Sequence, residues 1–408
     1  MSVPLDRLYH YLGDCVNHDL VIYRWAPHGS RKLEDLTQLT NYPEYQWYNN
    51  PIAIFHDQEP LDYDFYTQDQ VQNRVNQQHS KWSVDRTFND AALEYISQQH
   101  LRAVTDCANQ YDLAILVHSE QCSWQVDHYS NKGFVPVYYW SHAVIAQDWF
   151  RYAEHDPTLN FEFFNFKQDF LIYNRAWSGT REYRLSLVEK LISNGLVKNC
   201  RTSFNPVDQH MHYTSHCFAN KKFNIQNHQL ENHFPLNTYS AAASADYVTK
   251  DYAETGIEIV LETLFDDDRW HLTEKTLRPI ACGKPFILAA TPGSLQYLRN
   301  YGFETFADVI DETYDTIADG AARLDAIIQE MKRIADLGAD TKQALYMRLH
   351  EIAQRNKQRF FNGLVDQVIE EYKTNLDQAL VIMQQNCTGL HRNRIRELNW
   401  SLYSKRTQ

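Results

Sequence analysis

The sequence lacks the features that mark several common classes of protein. Its 408 residues contain no run of about 18 apolar residues, which a membrane-spanning helix needs, so we expect no membrane insertion. It shows no internal repeat at a fixed period. Its seven cysteines include no C-x-x-C pair, and no basic segment followed by an apolar stretch stands near residue 1. These absences predict reduced thiols and a cytoplasmic location.

Positive charge is also in short supply. The formal net charge is -13 at pH 7, whereas proteins that depend on nonspecific DNA affinity are usually basic, because phosphate contacts supply that affinity. The charge balance argues against a dedicated DNA-binding protein, although it is compatible with a local basic groove. The 43% of hydrophobic residues can fill complete cores. The length predicts two α/β domains with a helical extension.

Short apolar runs that end in polar loops predict buried strands. They cover residues 19–25, 51–55, 113–117, 134–139, 169–173, 257–264 and 285–289. Helical stretches lie between several of them, for example at residues 89–107 and at 181–194, where Gly195 provides a stop. Strands that alternate with helices predict an α/β fold with parallel sheets.

A polar and aromatic segment at residues 153–168 predicts a crossing between domains. We therefore expect one α/β domain over residues 1–155, a second over 165–338, and helices over 339–408 that pack across both. The last part begins after a helix at 320–334. Its apolar positions from Leu345 to Tyr372 predict one long helix.

The segment 262–302 carries the strongest candidate site. It is predicted as a strand, a polar loop, a helix that starts after the N-cap Thr273, a second strand, and another helix start near Gly293. Open parallel sheets bind ligands beyond the carboxyl ends of their strands. A helix start suits phosphate because its backbone N–H groups are free. Lys275 and Arg278 add positive charge, and Glu274 can accept hydrogen bonds from ribose hydroxyls.

The run HLTEKTLRPIACGKPFILA, residues 271–289, resembles the nucleotide-sugar motif of GT-B glycosyltransferases of the fucosyltransferase and exostosin type. The resemblance implies a GT-B-like fold, in which two Rossmann-type domains face a cleft. Residues 1–155 would form its acceptor side and residues 165–338 its donor side. It also implies that Glu274 binds ribose, that Lys275 binds diphosphate, and that Glu262 belongs to the site. Trp270 and His271 stand where that family often has an aromatic pair with Asp.

A second match is YNRAWSGTREYRLSLVEKL, residues 173–191. In that family a strand ends in Arg and is followed by a loop and a helix with basic residues. The resemblance therefore implies that Arg175 faces the diphosphate, with Arg181 or Arg184 near it. It covers residues 169–334 and is weaker over the first 150 residues.

The implied activity is an inverting, metal-independent sugar transfer from a UDP- or GDP-sugar to an acceptor hydroxyl, with no further cofactor required. The chain also resembles bacteriophage-encoded members, some of which glycosylate hydroxymethylated DNA bases. A phage enzyme would act in the host cytoplasm. The acceptor stays open between a glycan, a protein and a 5-hydroxymethylpyrimidine in DNA.

Such a transfer needs a general base for the acceptor hydroxyl. Two predicted strand ends supply carboxylates in the first domain: Asp57 and Glu59 follow one, and Glu120 follows another. We rank Glu59 and Asp57 ahead of Glu120. The alternative for each is a polar loop residue that caps a helix. The aromatic stretch from Val137, which includes His142, is predicted either as acceptor lining or as ordinary core.

Four competing interpretations remain. The D-x-D pattern within residues 266–268 is typical of metal-dependent transferases, although a solvated acidic loop explains it better. A histidine cluster with a cysteine could hold zinc, but no second ligand cluster stands at a suitable spacing; its members are His210, His212, His216 and Cys217. The chain could also be a non-catalytic nucleotide-sugar or glycan-binding protein on the same scaffold. Finally, it could transfer a group other than sugar, because phosphate-binding helix starts serve several reactions.

Overall fold

Parallel strands form the two larger sheets of the protein. The computed structural model describes residues 8, 11–12, 15, 21–25, 52–56, 60–61, 114–131, 134–159, 166–234 and 245–386. The chain divides into two compact units. The first unit comprises Val3–Ser141 with Val368–Gln408, and the second is built from His142–Gln367. The predicted three-part division, with helices packing across both domains, stays a prediction.

Among the described residues, the sheet of the first unit contains four parallel strands in chain order. They are β1 (Val21–Trp25), β2 (Ile52–His56), β3 (Ala114–His118) and β4 (Phe134–Tyr138). Each lies within two residues of the ends that its apolar run predicts. The middle of β3 is fully buried at Ile115, Leu116 and Val117. A continuous apolar run is the expected signature of a parallel strand covered on both faces.

The sheet of the second unit also contains four parallel strands, in the order β10-β9-β5-β6. They are β5 (Gln168–Asn174), β6 (Cys200–Phe204), β9 (Thr255–Leu261) and β10 (Phe286–Ala289). A short antiparallel hairpin, β7 (Val207–Asp208) with β8 (Met211–His212), follows β6. From β5 the chain runs to β6 on one side, whereas β9 pairs with the other side. The strand order therefore reverses between β5 and β9.

Helices connect and cover these strands. They are α1 (Trp124–Ser130), α2 (Ser141–Trp149), α3 (Tyr183–Ser193), α4 (Thr249–Glu254), α5 (Glu274–Ala281), α6 (Ser294–Asn300), α7 (Gly320–Ala335), α8 (Ala339–Phe361) and α9 (Leu364–Asn386). Within the part of the chain that is described, no helix is long and apolar enough to cross a membrane.

Several sequence predictions of local structure are confirmed. The structure has the α/β architecture with parallel sheets. Helix α3 ends as predicted, because Gly195 has a φ of 69° and the Leu196 N–H donates to the Leu191 carbonyl at 2.9 Å. Thr273 is the N-cap of α5. The predicted helix at residues 89–107 lies outside the described residues.

The prediction of one long C-terminal helix is wrong. The chain forms α8 and α9 with a break at Asn362 and Gly363, where Gly363 has a φ of 88°. A left-handed residue cannot continue an α-helix, and glycine adopts this conformation without the steric penalty of a Cβ. The apolar spacing continues across the break, so the pattern of apolar residues did not reveal it.

A buried ion pair stabilises the core between β9 and α5. The Arg278 guanidinium lies 2.5 Å from a carboxylate oxygen of Glu258, and both side chains are almost completely buried. The Tyr252 hydroxyl donates to the other Glu258 oxygen at 2.5 Å, and the guanidinium lies over the ring of Tyr173 at 4.5 Å. A buried charge needs such partners, because water no longer solvates it.

We expect Glu258→Ala to lower the free energy of unfolding by about 3–5 kcal/mol, because it leaves the Arg278 charge buried without its carboxylate. Urea denaturation measures this effect. Glu304→Ala is the matched control, because Glu304 forms an exposed pair with Arg355 at 2.6 Å. It should cost less than about 1 kcal/mol. Equal losses in the two variants would contradict a stabilising role for the buried pair.

Candidate functional site

The candidate site lies in the second unit, at the carboxyl ends of its central strands. Residues 175–182 follow β5 and residues 262–273 follow β9, and these two strands are neighbours in the sheet. The Arg184 guanidinium connects the two loops. One of its nitrogens donates to the Ala176 carbonyl at 2.6 Å, and another donates to the carbonyls of Leu261 at 2.6 Å and Glu262 at 3.0 Å. The loops therefore form one edge at the point where the strand order reverses.

The carboxylate of Glu262 determines where α5 begins. Glu262 is the first residue after β9 and is fully buried. Its Oε1 accepts from the Thr273 N–H at 2.9 Å and from the Thr276 hydroxyl at 2.6 Å. Its Oε2 accepts from the Thr273 hydroxyl at 2.7 Å. Glu262 thus positions the helix start, and its direct contact with a ligand stays a prediction.

Glu274 and Lys275 are the first two residues of α5, and their side chains contact each other. The Lys275 ammonium lies 2.8 Å from Oε1 of Glu274 and 3.1 Å from the Thr273 hydroxyl. Nδ1 of His142, the second residue of α2, lies 3.5 Å from Oε2 of Glu274. Glu274 is only 7% exposed, whereas Lys275 is half-buried. Each Glu274 oxygen therefore has one basic neighbour.

The basic neighbours keep Glu274 ionised. Burial by itself would raise the pKa of its carboxyl, but the charges of Lys275 and His142 outweigh burial and lower the pKa to about 2. An ionised carboxylate is an acceptor only, with about four lone-pair sites on its two oxygens. After its contacts with Lys275 and His142, Glu274 retains capacity to accept from ligand hydroxyls.

Arg175 and Arg181 lie in the loop that follows β5. Arg175 is exposed directly after the strand, and Arg181 is partly exposed two residues before α3. Between them, one oxygen of Asp208 accepts from the N–H groups of Trp177 at 2.9 Å and Ser178 at 2.8 Å. The structure thus brings both arginines to the same edge as the start of α5. Contact with a diphosphate stays a prediction for each.

Arg278 lies one helical turn beyond Glu274, and its guanidinium pairs with Glu258 inside the core. The structure therefore does not bring the Arg278 charge together with Lys275 at the start of α5. Arg278 stabilises α5 from the core side. Its spacing of four residues from Glu274 did not indicate that its side chain is buried in the core.

The loop after β10 borders the same edge. Gly293 is the N-cap of α6 with a φ of 81°, as the predicted helix start near this residue requires. The Trp270 indole N–H donates to the Pro292 carbonyl at 2.8 Å. A Cβ on Gly293 would come within 2.8 Å of the Trp270 ring. Glycine is therefore needed both for its conformation and for the close approach of Trp270.

Of the three candidate bases, Asp57 and Glu59 lie outside the described residues. Glu120 is buried, with one carboxylate oxygen accepting from the Leu61 N–H at 2.6 Å and the other from the Ser123 hydroxyl at 2.5 Å. Burial lowers the pKa of the neighbouring His118 to about 4. Glu120 therefore holds two loops together, and its role as a general base stays a prediction.

Several residues of the competing metal sites have protein partners. Asp266 pairs with Lys222 at 2.9 Å, and Asp267 pairs with Arg269 at 2.7 Å. Nε2 of His216 lies 2.8 Å from the buried carboxylate of Glu182. Among the residues that the structure describes, no group of three or more His, Cys, Asp or Glu could hold a metal ion.

His142 is the site residue that sequence reasoning did not assign to this edge, and it packs against His271 of the motif. Their rings meet edge to face, with centroids 5.4 Å apart, and both are buried. His142 was considered for the acceptor side, but it lies against Glu274. His271, two residues before the N-cap, offered a signal through its place in the motif. Nothing in the sequence indicated that the two rings pack together.

Comparison of the chain with protein-family models, with curated proteins and with solved structures finds no match. Support for a function therefore comes from the residues of the site themselves.

We expect the stabilisation due to Glu274 to depend on pH. Its folded-state pKa of about 2 lies below the ordinary 4.5. The contribution of Glu274 to the unfolding free energy is therefore complete above the pKa of the unfolded state. It is lost as the pH falls through the pKa of the folded state, and it amounts to about 3 kcal/mol. The unfolding free energy of the wild type, relative to Glu274→Gln, should fall between about pH 5 and about pH 2.

Asp315→Asn is a control with the opposite sign. Burial raises the pKa of Asp315 from 3.8 to about 6, so the folded protein binds the Asp315 proton more tightly than the unfolded chain does. This stabilisation is lost as the pH rises. The wild type should therefore gain stability relative to Asp315→Asn as the pH is lowered. A pH-independent difference between the wild type and Glu274→Gln would contradict the clamped, ionised carboxylate.

Proposed function

We propose that this protein is a nucleotide-sugar-dependent glycosyltransferase that binds its donor at the start of α5. The observation that carries the proposal is the pair Glu274–Lys275. This ionised carboxylate and ammonium stand side by side at a capped helix start, beyond the carboxyl end of a parallel sheet. Ligands of open parallel sheets bind at such edges, where the strand order reverses.

The two groups suit the two polar ends of a nucleoside diphosphate. An ionised carboxylate with unused lone pairs can accept from vicinal ribose hydroxyls. The ammonium of Lys275 can donate to phosphate oxygens, and the helix start adds a favourable dipole. Arg175 and Arg181 supply further positive charge at the same edge, where a departing diphosphate needs it.

The wider arrangement belongs to the proposal as well. The two units would act as the Rossmann-type domains of a GT-B-like enzyme, with the acceptor bound to the first. The reaction would invert the sugar and need no metal. The acceptor would be a glycan hydroxyl or a 5-hydroxymethylpyrimidine in phage DNA, with the general base among Glu59, Asp57 and Glu120.

The direct test is a donor screen with purified protein. It is incubated with UDP- and GDP-sugars, with and without DNA that contains 5-hydroxymethylcytosine, and mass spectrometry follows nucleotide release and digested nucleosides. We expect nucleotide release with at least one donor. A sugar-mass shift on the modified base identifies DNA as the acceptor, whereas release without that shift directs the search to glycans.

Donor binding without turnover on any acceptor would favour the non-catalytic nucleotide-sugar-binding alternative. Absence of both binding and release with every donor would reject the proposed function.

Lys275→Met should weaken donor binding about tenfold to a hundredfold, because it removes a charge-assisted contact worth about 1.5–3 kcal/mol. Isothermal titration calorimetry measures the change. Lys190→Met is the matched control, because Lys190 lies on α3 and pairs with Asp325 at 2.5 Å. Its affinity should equal that of the wild type. The role of Lys275 is refuted if both variants bind the donor equally well.

A further inference from the structure

We infer that His142 is a positioning residue, which holds the Glu274 carboxylate in the orientation that accepts ribose hydroxyls. The inference rests on the proposed function and adds to it a residue outside the 271–289 motif. His142 lies on α2, far from Glu274 in sequence, but both belong to the second unit.

The geometry around Glu274 is that of a carboxylate held from both sides. Lys275 lies against Oε1 at 2.8 Å, and His142 Nδ1 lies 3.5 Å from Oε2. Lys275 is a flexible side chain on the same helix as Glu274. His142 is a rigid ring on a different helix, with only 2% of its surface exposed. Of the two neighbours, His142 is therefore the one that fixes the direction of the carboxylate plane.

His142 is itself held in place. Its ring packs edge to face against His271, whose loop ends at the N-cap of α5. The loop in turn is anchored by Glu262 through the Thr273 N–H. These contacts connect the His142 imidazole and the Glu274 carboxylate to the start of α5. The carboxylate is therefore oriented before a ligand binds. Such pre-orientation improves binding, because the side chain does not have to be ordered when the ligand binds.

If His142 has only a structural role, its replacement should change the affinity for every nucleotide equally. If His142 positions Glu274, its replacement should weaken the contact of Glu274 with a ribose hydroxyl and therefore reduce the preference for ribose over deoxyribose. The probes are UDP, GDP and their 2′-deoxy counterparts, and the measured quantity is the ratio of their dissociation constants. If the Glu274 carboxylate accepts a hydrogen bond from the 2′-hydroxyl, the wild type should bind the ribonucleotide about tenfold or more tightly than the 2′-deoxy nucleotide.

We expect His142→Leu to reduce this preference to less than about threefold, while the affinity for the 2′-deoxy nucleotide changes little. His142→Asn should restore most of the preference, because its amide N–H can donate toward the same carboxylate oxygen from the same helix. Glu274→Gln should also lose the preference. The double variant should lose no more than either single variant, as coupled residues do.

His216→Leu is the matched control. His216 is a half-buried histidine paired with a carboxylate at 2.8 Å in the same unit, and it packs against Trp177. It should lower the melting temperature but keep the ribose preference. A full preference in folded His142→Leu would overturn the inference while leaving the proposed function intact. Failure of the wild type to bind any of the four nucleotides would remove both.

Discussion

The hydrogen bonds of the Glu262 carboxylate are the constraint on which the candidate site depends. A buried carboxylate costs several kcal/mol unless donors surround it. Glu262 meets this need with the Thr273 N–H and with the hydroxyls of Thr273 and Thr276. The end of β9 and the start of α5 are thereby fixed to each other. Glu274 and Lys275 become the first helical residues, directly above the strand end, where an open parallel sheet binds ligands.

Charged residues of the second unit fall into two layers. Arg278 and Glu258 pair inside the core, and Arg184 crosses under the edge to bind the carbonyls of Ala176 and Glu262. The contacts of Arg184 hold the backbone of the two loops in place. Glu274 and Lys275 form the second layer, at the start of α5. This arrangement suits the proposed donor site, in which the protein positions charge before the ligand binds.

Local features of this fold could be predicted from the sequence, whereas long-range pairings could not. Buried parallel strands read as apolar runs, and the N-cap at Thr273 and the stop at Gly195 follow from residue type. The break between α8 and α9 at Gly363 was not predicted, because the helical spacing of apolar residues continues through it. The partners of Arg278 and Glu120 were missed because each pairs with a distant element, Glu258 in one case and the Leu61 N–H in the other. The same limit concealed the contact of His142 with Glu274.

A crystal structure of the protein with UDP or GDP would show whether Glu274 and Lys275 contact the nucleotide. We expect ribose hydroxyls within hydrogen-bonding distance of the Glu274 carboxylate and phosphate oxygens beside the Lys275 ammonium. His142 should keep its place behind the carboxylate. A nucleotide bound at another edge of the protein, with Glu274 and Lys275 contacting only each other, would rule out the start of α5 as the nucleotide site.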